Sequence, residues 1–244
     1  MRIKSFALAA LVCVGLTACQ TPKPPVGILG SEGFEAFATP RAFDGPGTIF
    51  RLDSEHRRFF VDSVAFTTTG GQEMLAAQES SREMTLAQVV ESIGASAAAL
   101  PIRVSTDLSS KRFTSIKATT AERSRTSDKD VEDALRRWAT TAKPVVGSEY
   151  WLIRETVSTP GLTYKVSNSW LAGLGLNAEA LNKAGYKGEI KATSGDTLEM
   201  DTKFTNPLNV WYKAEKVVFS PAFGVGPNQY TVTRTPATGI PLGL

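Results

Sequence analysis

Five carboxylates sit at spacings that could run acid–base chemistry: Asp53 and Glu55 beside His56, Arg57 and Arg58, and Asp196, Glu199 and Asp201 further on. Two acids about 5–9 Å apart can hydrolyse a glycosidic bond, one giving a proton while the other attacks or activates water. Both groups fall in polar turns, where acidic side chains are the ordinary solvated filler. His56 is the only histidine. A general base there would need Ser and Asp partners from elsewhere, and neither G-x-S-x-G nor S-x-x-K occurs to supply a nucleophile. A single histidine also removes multi-His metal sites. Asp128, Asp130, Glu132 and Asp133 lack the glycine of a calcium loop and read as N-terminal charge for a helix. Gly173-Leu174-Gly175-Leu176-Asn177-Ala178 matches G-x-G-x-x-A, but its neighbours read as hairpins rather than a βαβ unit. The sequence therefore calls for no cofactor and no metal.

Aromatic residues form the second chemical feature. Tyr150, Trp151, Tyr164, Trp170, Tyr186, Trp211 and Tyr212 all fall in the second half of the chain. Tyr and Trp combine apolar area with a polar handle, which suits binding hot spots. Alternation along strands sends one member of each adjacent pair inward, which would make Trp151 and Trp211 core residues with Tyr150 and Tyr212 on the opposite face. Core packing is the favoured reading of these aromatics, and the binding reading takes Tyr150, Tyr164, Trp170, Tyr186 and Tyr212 as its candidate surface.

The N-terminus carries an address. Arg2 and Lys4 precede an apolar run from Ser5 to Leu16, the pattern of a secretory signal peptide and too short to span a bilayer. Leu16-Thr17-Ala18-Cys19 then resembles the lipobox of bacterial lipoproteins. That resemblance covers residues 1–20 only. It implies cleavage between Ala18 and Cys19, a diacylglycerol on the Cys19 sulfur, usually a further acyl chain on its amine, and anchorage in a lipid bilayer. Two or three chains anchor stably where one does not. Gln20, rather than Asp, follows the cysteine, which by the lipoprotein sorting rule implies the outer membrane. Cys13 leaves with the leader, so the mature chain is expected to hold no free thiol.

These features must be positioned by a folded body. Nine of the 13 prolines lie in 20–46 and 220–244, which divides the chain into a signal peptide (1–18), a lipidated cysteine and Pro-rich tether (19–46), a globular body (47–219) and a Pro/Gly-rich tail (220–244). Within the body, Thr48–Leu52 and Arg58–Phe66 read as strands. A helix capped by Thr85 carries Leu86, Val89, Val90 and Ile93, and a stronger one begins at Ser127 and buries Val131, Ala134, Leu135 and Trp138. Glu149–Val157 and Leu162–Ser167 read as a strand pair turning at Pro160-Gly161. A short helix over Ala178–Ala184 precedes strands at Glu189–Thr193, Thr197–Phe204 and Val210–Phe219. The expected fold is α+β, mostly antiparallel sheet with two or three helices packed on it.

A net charge of +3 is too small for a nucleic-acid binder. The reading that follows is a membrane-anchored envelope lipoprotein with a non-enzymatic binding or assembly role, its partner another envelope protein or a cell-wall polymer. A carboxylate-dependent cell-wall or glycan hydrolase is the first alternative. A membrane-active module is the second, and it requires a hairpin alternating cleanly over about 10 residues.

Overall fold

A computed structural model describes residues 28–52, 58–64, 71–99, 111–193, 195–222 and 229–237. Ala18, Cys19, His56 and the turn with Asp53 and Glu55 lie outside the described residues, as does the segment 238–244.

Two long strands organise the chain. β8 (Glu149–Ser167, 19 residues) and β10 (Thr197–Pro221, 25 residues) run antiparallel from Glu149↔Val218 to Ser167↔Thr197. On β8 pair β2 (Thr48–Leu52), β6 (Lys111–Ala118) and β7 (Ala121–Arg125). On β10 pair β1 (Glu35–Arg41), β9 (Glu189–Ala192) and β11 (Tyr230–Ala237). β3 (Arg58–Ser63) extends β2, β4 (Gln72–Leu75) extends β7, and β5 (Gln78–Thr85) extends β6. The result is one 11-stranded sheet. All described pairings are antiparallel, as the α+β expectation required.

Helices cover it. α1 (Ile28–Ser31), α2 (Leu86–Ser92), α4 (Asn168–Gly173) and α5 (Ala178–Lys183) are short, and α3 (Asp128–Ala142) is the long one. α2 starts at a capping box: Thr85 Oγ1 accepts from Gln88 N at 3.2 Å while Gln88 Oε1 accepts from Thr85 N at 2.9 Å. Leu29, Leu86, Val89, Val90, Leu171 and Leu181 from the short helices pack on Tyr164, Val166 and Trp211 of the sheet. On a second cluster α3 lays Val131, Ala134, Leu135 and Ala139 over Ile49, Leu152, Val217 and Phe219. Phe37, Phe50, Ile153, Tyr212 and Ala214 form a third. Each such large apolar side chain contributes about 1.5–3 kcal/mol when fully buried.

The sequence expectation is corrected in two places. First, what read as two strands around Pro160-Gly161 is one continuous β8. The pairing with β10 shifts there, from Thr159↔Leu208 to Gly161↔Lys203, so the irregularity sits in the partner strand. A Cβ on Gly161 would lie 2.7 Å from the Thr202 carbonyl oxygen, so glycine is what lets the two backbones approach. Thr197–Phe204 and Val210–Phe219 fuse into β10 in the same way. Second, the sheet reaches into both proline-rich ends. β1 lies in the segment read as tether and β11 in the segment read as tail, each on one side of β10. Leu29, Phe34, Phe37 and Ala38 are buried. The prolines Pro40 and Pro236 are compatible with strands because, among the described residues, β1 and β11 each pair with β10 alone, and a missing N–H on the opposite side of an edge strand costs no ladder bond.

Candidate binding edge

The predicted aromatic surface is not a surface. Tyr150, Tyr164, Tyr186 and Tyr212 are buried, and Trp170 is half-buried against the first core cluster. Tyr150 stacks edge-on with Phe219 and Trp138, and its hydroxyl accepts from Val145 N at 2.9 Å. The Tyr212 hydroxyl donates to Glu35 Oε2 at 2.9 Å. Tyr186 keeps its hydroxyl within reach of the carbonyls of Asp201 (2.7 Å) and Glu189 (2.9 Å). Burial, with the Asp201 and Glu189 charges, pushes that phenol up to about 12, and burial pushes Tyr164 up further. Alternation separates the two faces of a strand, but it does not leave either face wet. At Trp211 and Tyr212 both faces are covered, so the two neighbours are equally buried.

The carboxylates of 196–201 lie on the sheet's open polar face and its rim. Asp196 accepts from Ser169 N at 2.6 Å and from the hydroxyls of Ser167 and Ser169 at 2.5 Å. Those bonds, Ser167 first, hold its carboxyl below the usual range, as befits an anion tying down the start of α4. Glu199 faces Lys165 at 3.1 Å; Asp201 accepts from Thr163 at 2.6 Å and lies 3.6 Å from Lys191. A cavity of about 840 Å³ opens nearby among Glu91, Lys187, Glu189, Asp201, Lys203 and Phe204. Two of its acids, Glu189 and Asp201, both lie within ion-pair distance of Lys191. The glycine-rich match spans the turn between α4 and α5, with Gly175 at φ +73° and Asn177 Oδ1 accepting from Ala180 N at 2.8 Å. Asp128 through Asp133 form the first turns of α3. Among the described residues no group of three or more His, Cys, Asp or Glu is placed to hold a metal. No described helix is long and apolar enough to cross a membrane.

Charged clusters inside the fold are structural clamps. Arg123 is 8% exposed and meets Glu32 and Glu155, with Phe34 beneath its guanidinium. Arg154 and Arg234 converge on Glu215, each at 2.7 Å, which fastens β11 to the spine.

What the sequence reading missed is an edge. β3 is the last strand on its side of the sheet and pairs only with β2 among the described residues. Phe59, Phe60 and Val61 stand on it, 46%, 64% and 38% exposed. An exposed apolar edge strand presents unpaired N–H and C=O groups, a template on which another strand can pair. The pairing with β2 carries one extra residue on β3, since Ile49 faces Asp62 but Phe50 faces Phe60. Such a bulge twists an edge and breaks up indiscriminate pairing. The signal was present in the run Arg58-Phe59-Phe60-Val61-Asp62, whose consecutive apolar residues exceed what a half-buried strand needs.

No protein-family model matches the chain, and no curated protein matches it. Among solved structures it is similar to a bacterial gasdermin from Bradyrhizobium tropiciagri, at 14% sequence identity and a TM-score of 0.46, over 85% of this chain and 88% of that one. At that level the likeness assigns neither family nor function.

Proposed function

We propose that this chain is a lipid-anchored bacterial envelope protein with a non-enzymatic binding or assembly role, and that the edge of β3 is where it takes its partner. The exposed Phe59-Phe60-Val61 edge carries this reading. Strand addition supplies main-chain hydrogen bonds for affinity and side-chain contacts for selectivity. Leu16-Thr17-Ala18-Cys19 supports anchoring through an acylated Cys19 after cleavage at Ala18, with the outer membrane as destination. The partner of this reading is another envelope protein or a cell-wall polymer.

The acids expected for a hydrolase give that alternative little support, because Glu199 and Asp201 sit in lysine pairs on an open face. A membrane-active reading gains nothing from β8 and β10 either, since most of their apolar side chains are buried in the three core clusters.

The test places a photo-crosslinking residue at Phe60 and, as control, at exposed Thr140 on α3, in the lipidated protein in its own envelope. A protein adduct from position 60 and none from position 140 supports the reading. Equal adducts, or none at 60, overturn it.

A further inference from the structure

β10 has a gap along its outer side. Its pairing with β9 ends at Asp201↔Glu189, where the Tyr186 hydroxyl reaches both carbonyls, and its pairing with β1 begins only at Asn209↔Arg41. On the inner side β8 covers that interval with residues 158–163, roughly 17 Å of strand. β10 is longer there, and its residues 204–207 pair with no strand on either side among the described residues. The cavity of about 840 Å³ lies in this gap, walled by Thr39 of β1, the end of α2 and the turn before β9. Such a volume is in the range of small-ligand sites, about 300–1,000 Å³.

The lining is polar and incompletely partnered. Thr202 alternates with Met200 and Phe204, both of the first core cluster, so its side chain points to the α2 side and into the cavity. It is 8% exposed, yet its hydroxyl has no hydrogen bond among the described residues. A buried hydroxyl left without a partner is costly, and a polar ligand relieves it. Charges of both signs stand on different walls. Glu91 lies in the last turn of α2, Lys187 precedes β9 and Lys203 sits on β10; none of the three makes an ion pair among the described residues. Glu189 and Asp201 share Lys191.

We propose that this cavity binds a short peptide with free ends, about four or five residues long, laid along β10 between β9 and β1. The site is separate from the β3 edge and does not rest on the docking role above. Strand addition supplies main-chain hydrogen bonds, and the outward backbone groups between Lys203 and Leu208 have no strand partner to compete for them. Length follows from the gap. β9 and β1 close its two ends, a strand advances about 3.3 Å per residue, and a longer through-running strand meets one or the other. Free ends follow from the charges. A zwitterion offers its amine to Glu91 and its carboxylate to Lys187 and Lys203, whereas a ligand of a single sign leaves one wall opposed. Ile93 and Phe204 give small side chains an apolar floor.

The experiment titrates full-length lipidated protein in detergent with alanine peptides, read by calorimetry. The set is a free-ended pentapeptide, its C-amidated form, its N-acetylated and C-amidated form, and a free-ended alanine–serine decapeptide. The free-ended pentapeptide should bind saturably. Capping both ends should weaken it by about tenfold or more, and the decapeptide should bind no better than the doubly capped form. Lys187→Glu together with Lys203→Glu should weaken the free-ended pentapeptide and leave the C-amidated one unweakened. Both lysines are exposed, so an unchanged melting temperature separates that loss from misfolding. Thr39→Trp, which fills the cavity from the β1 wall, should abolish binding. No saturable binding of the free-ended pentapeptide, equal binding of the doubly capped form or the decapeptide, or indifference to the lysine substitutions overturns the inference.

Discussion

Arg123 grips Glu32 through both terminal guanidinium nitrogens, at 3.0 and 2.6 Å, although 91 residues separate them in the chain. The same guanidinium bonds Glu155 on β8 through Nε at 2.7 Å, so a single buried cation ties the segment after α1 to β7 and β8. The segment around Glu32, read from sequence as tether, is thereby part of the fold.

Removing that cation should hurt more than removing either anion. Arg123→Ala leaves Glu32 and Glu155 with only Lys213, 4.0 and 3.9 Å away, and should cost about 3 kcal/mol. Glu32→Gln keeps the shape and retains Glu155, so about 1 kcal/mol is expected. Urea unfolding of both variants checks the order; equal losses would mean that Arg123 acts through packing alone.

Acid should loosen β11. Burial pushes the Glu215 carboxyl up, but the hydrogen bond from Arg234 and the charge of Arg154 outweigh it and hold the group below the ordinary carboxylate range. A carboxyl depressed by folding adds stability that is complete above its unfolded-state pKa and is lost as pH falls through the folded value. Stability measured by urea should therefore decline as pH drops below the carboxylate range, and Arg234→Ala should flatten that decline. A steeper acid dependence in the variant would contradict this account.

Gly161→Ala should destabilise the spine by about 1–3 kcal/mol, because the new methyl meets the Thr202 carbonyl at 2.7 Å and backbone cannot swing aside. Thermal unfolding would reveal it. An unchanged midpoint would show that β8 and β10 part there at no cost.

Phe60→Asp should leave the melting temperature nearly unchanged, since exposed substitutions usually stay within about 0.5 kcal/mol. Self-association at high concentration should fall, and so should any partner capture. Light scattering and crosslinking yield read the two effects separately.

Cys19→Ser should abolish acyl labelling and leave the leader uncleaved. Labelling with a clickable fatty acid, followed by gel mobility, decides this; retained label would place the lipid elsewhere.

α2, α3 and α5 were legible because their determinants are local: Thr85 with Gln88 forms a capping box, and Val131, Ala134, Leu135 and Trp138 mark one stripe. The short α1 and α4 were not read from the sequence. The two-sided burial of Tyr212 and Trp211 was not, because what covers each face comes from distant segments such as Phe37 and Ser80, the latter accepting from Trp211 Nε1 at 2.8 Å. β1 and β11 were hidden by their prolines, which forbid a central strand but permit an edge. The continuity of β8 through Pro160 is a property of its partner strand, and no local pattern encodes it. Most of the candidate site was equally out of reach: the apolar run of β3 is visible in sequence, but its place at the end of the sheet depends on how β2 and α3 assemble.

The pairing order of the sheet has a kinetic consequence. β2, β6 and β7 all wait for β8, and β8 begins only at Glu149. Earlier residues can form the isolated pairs β2–β3, β5–β6 and β4–β7, but no common sheet joins them. A chain entering an export channel N-terminus first would therefore stay pliable until more than half of it had emerged, and would then close in one late, cooperative event dominated by distant contacts.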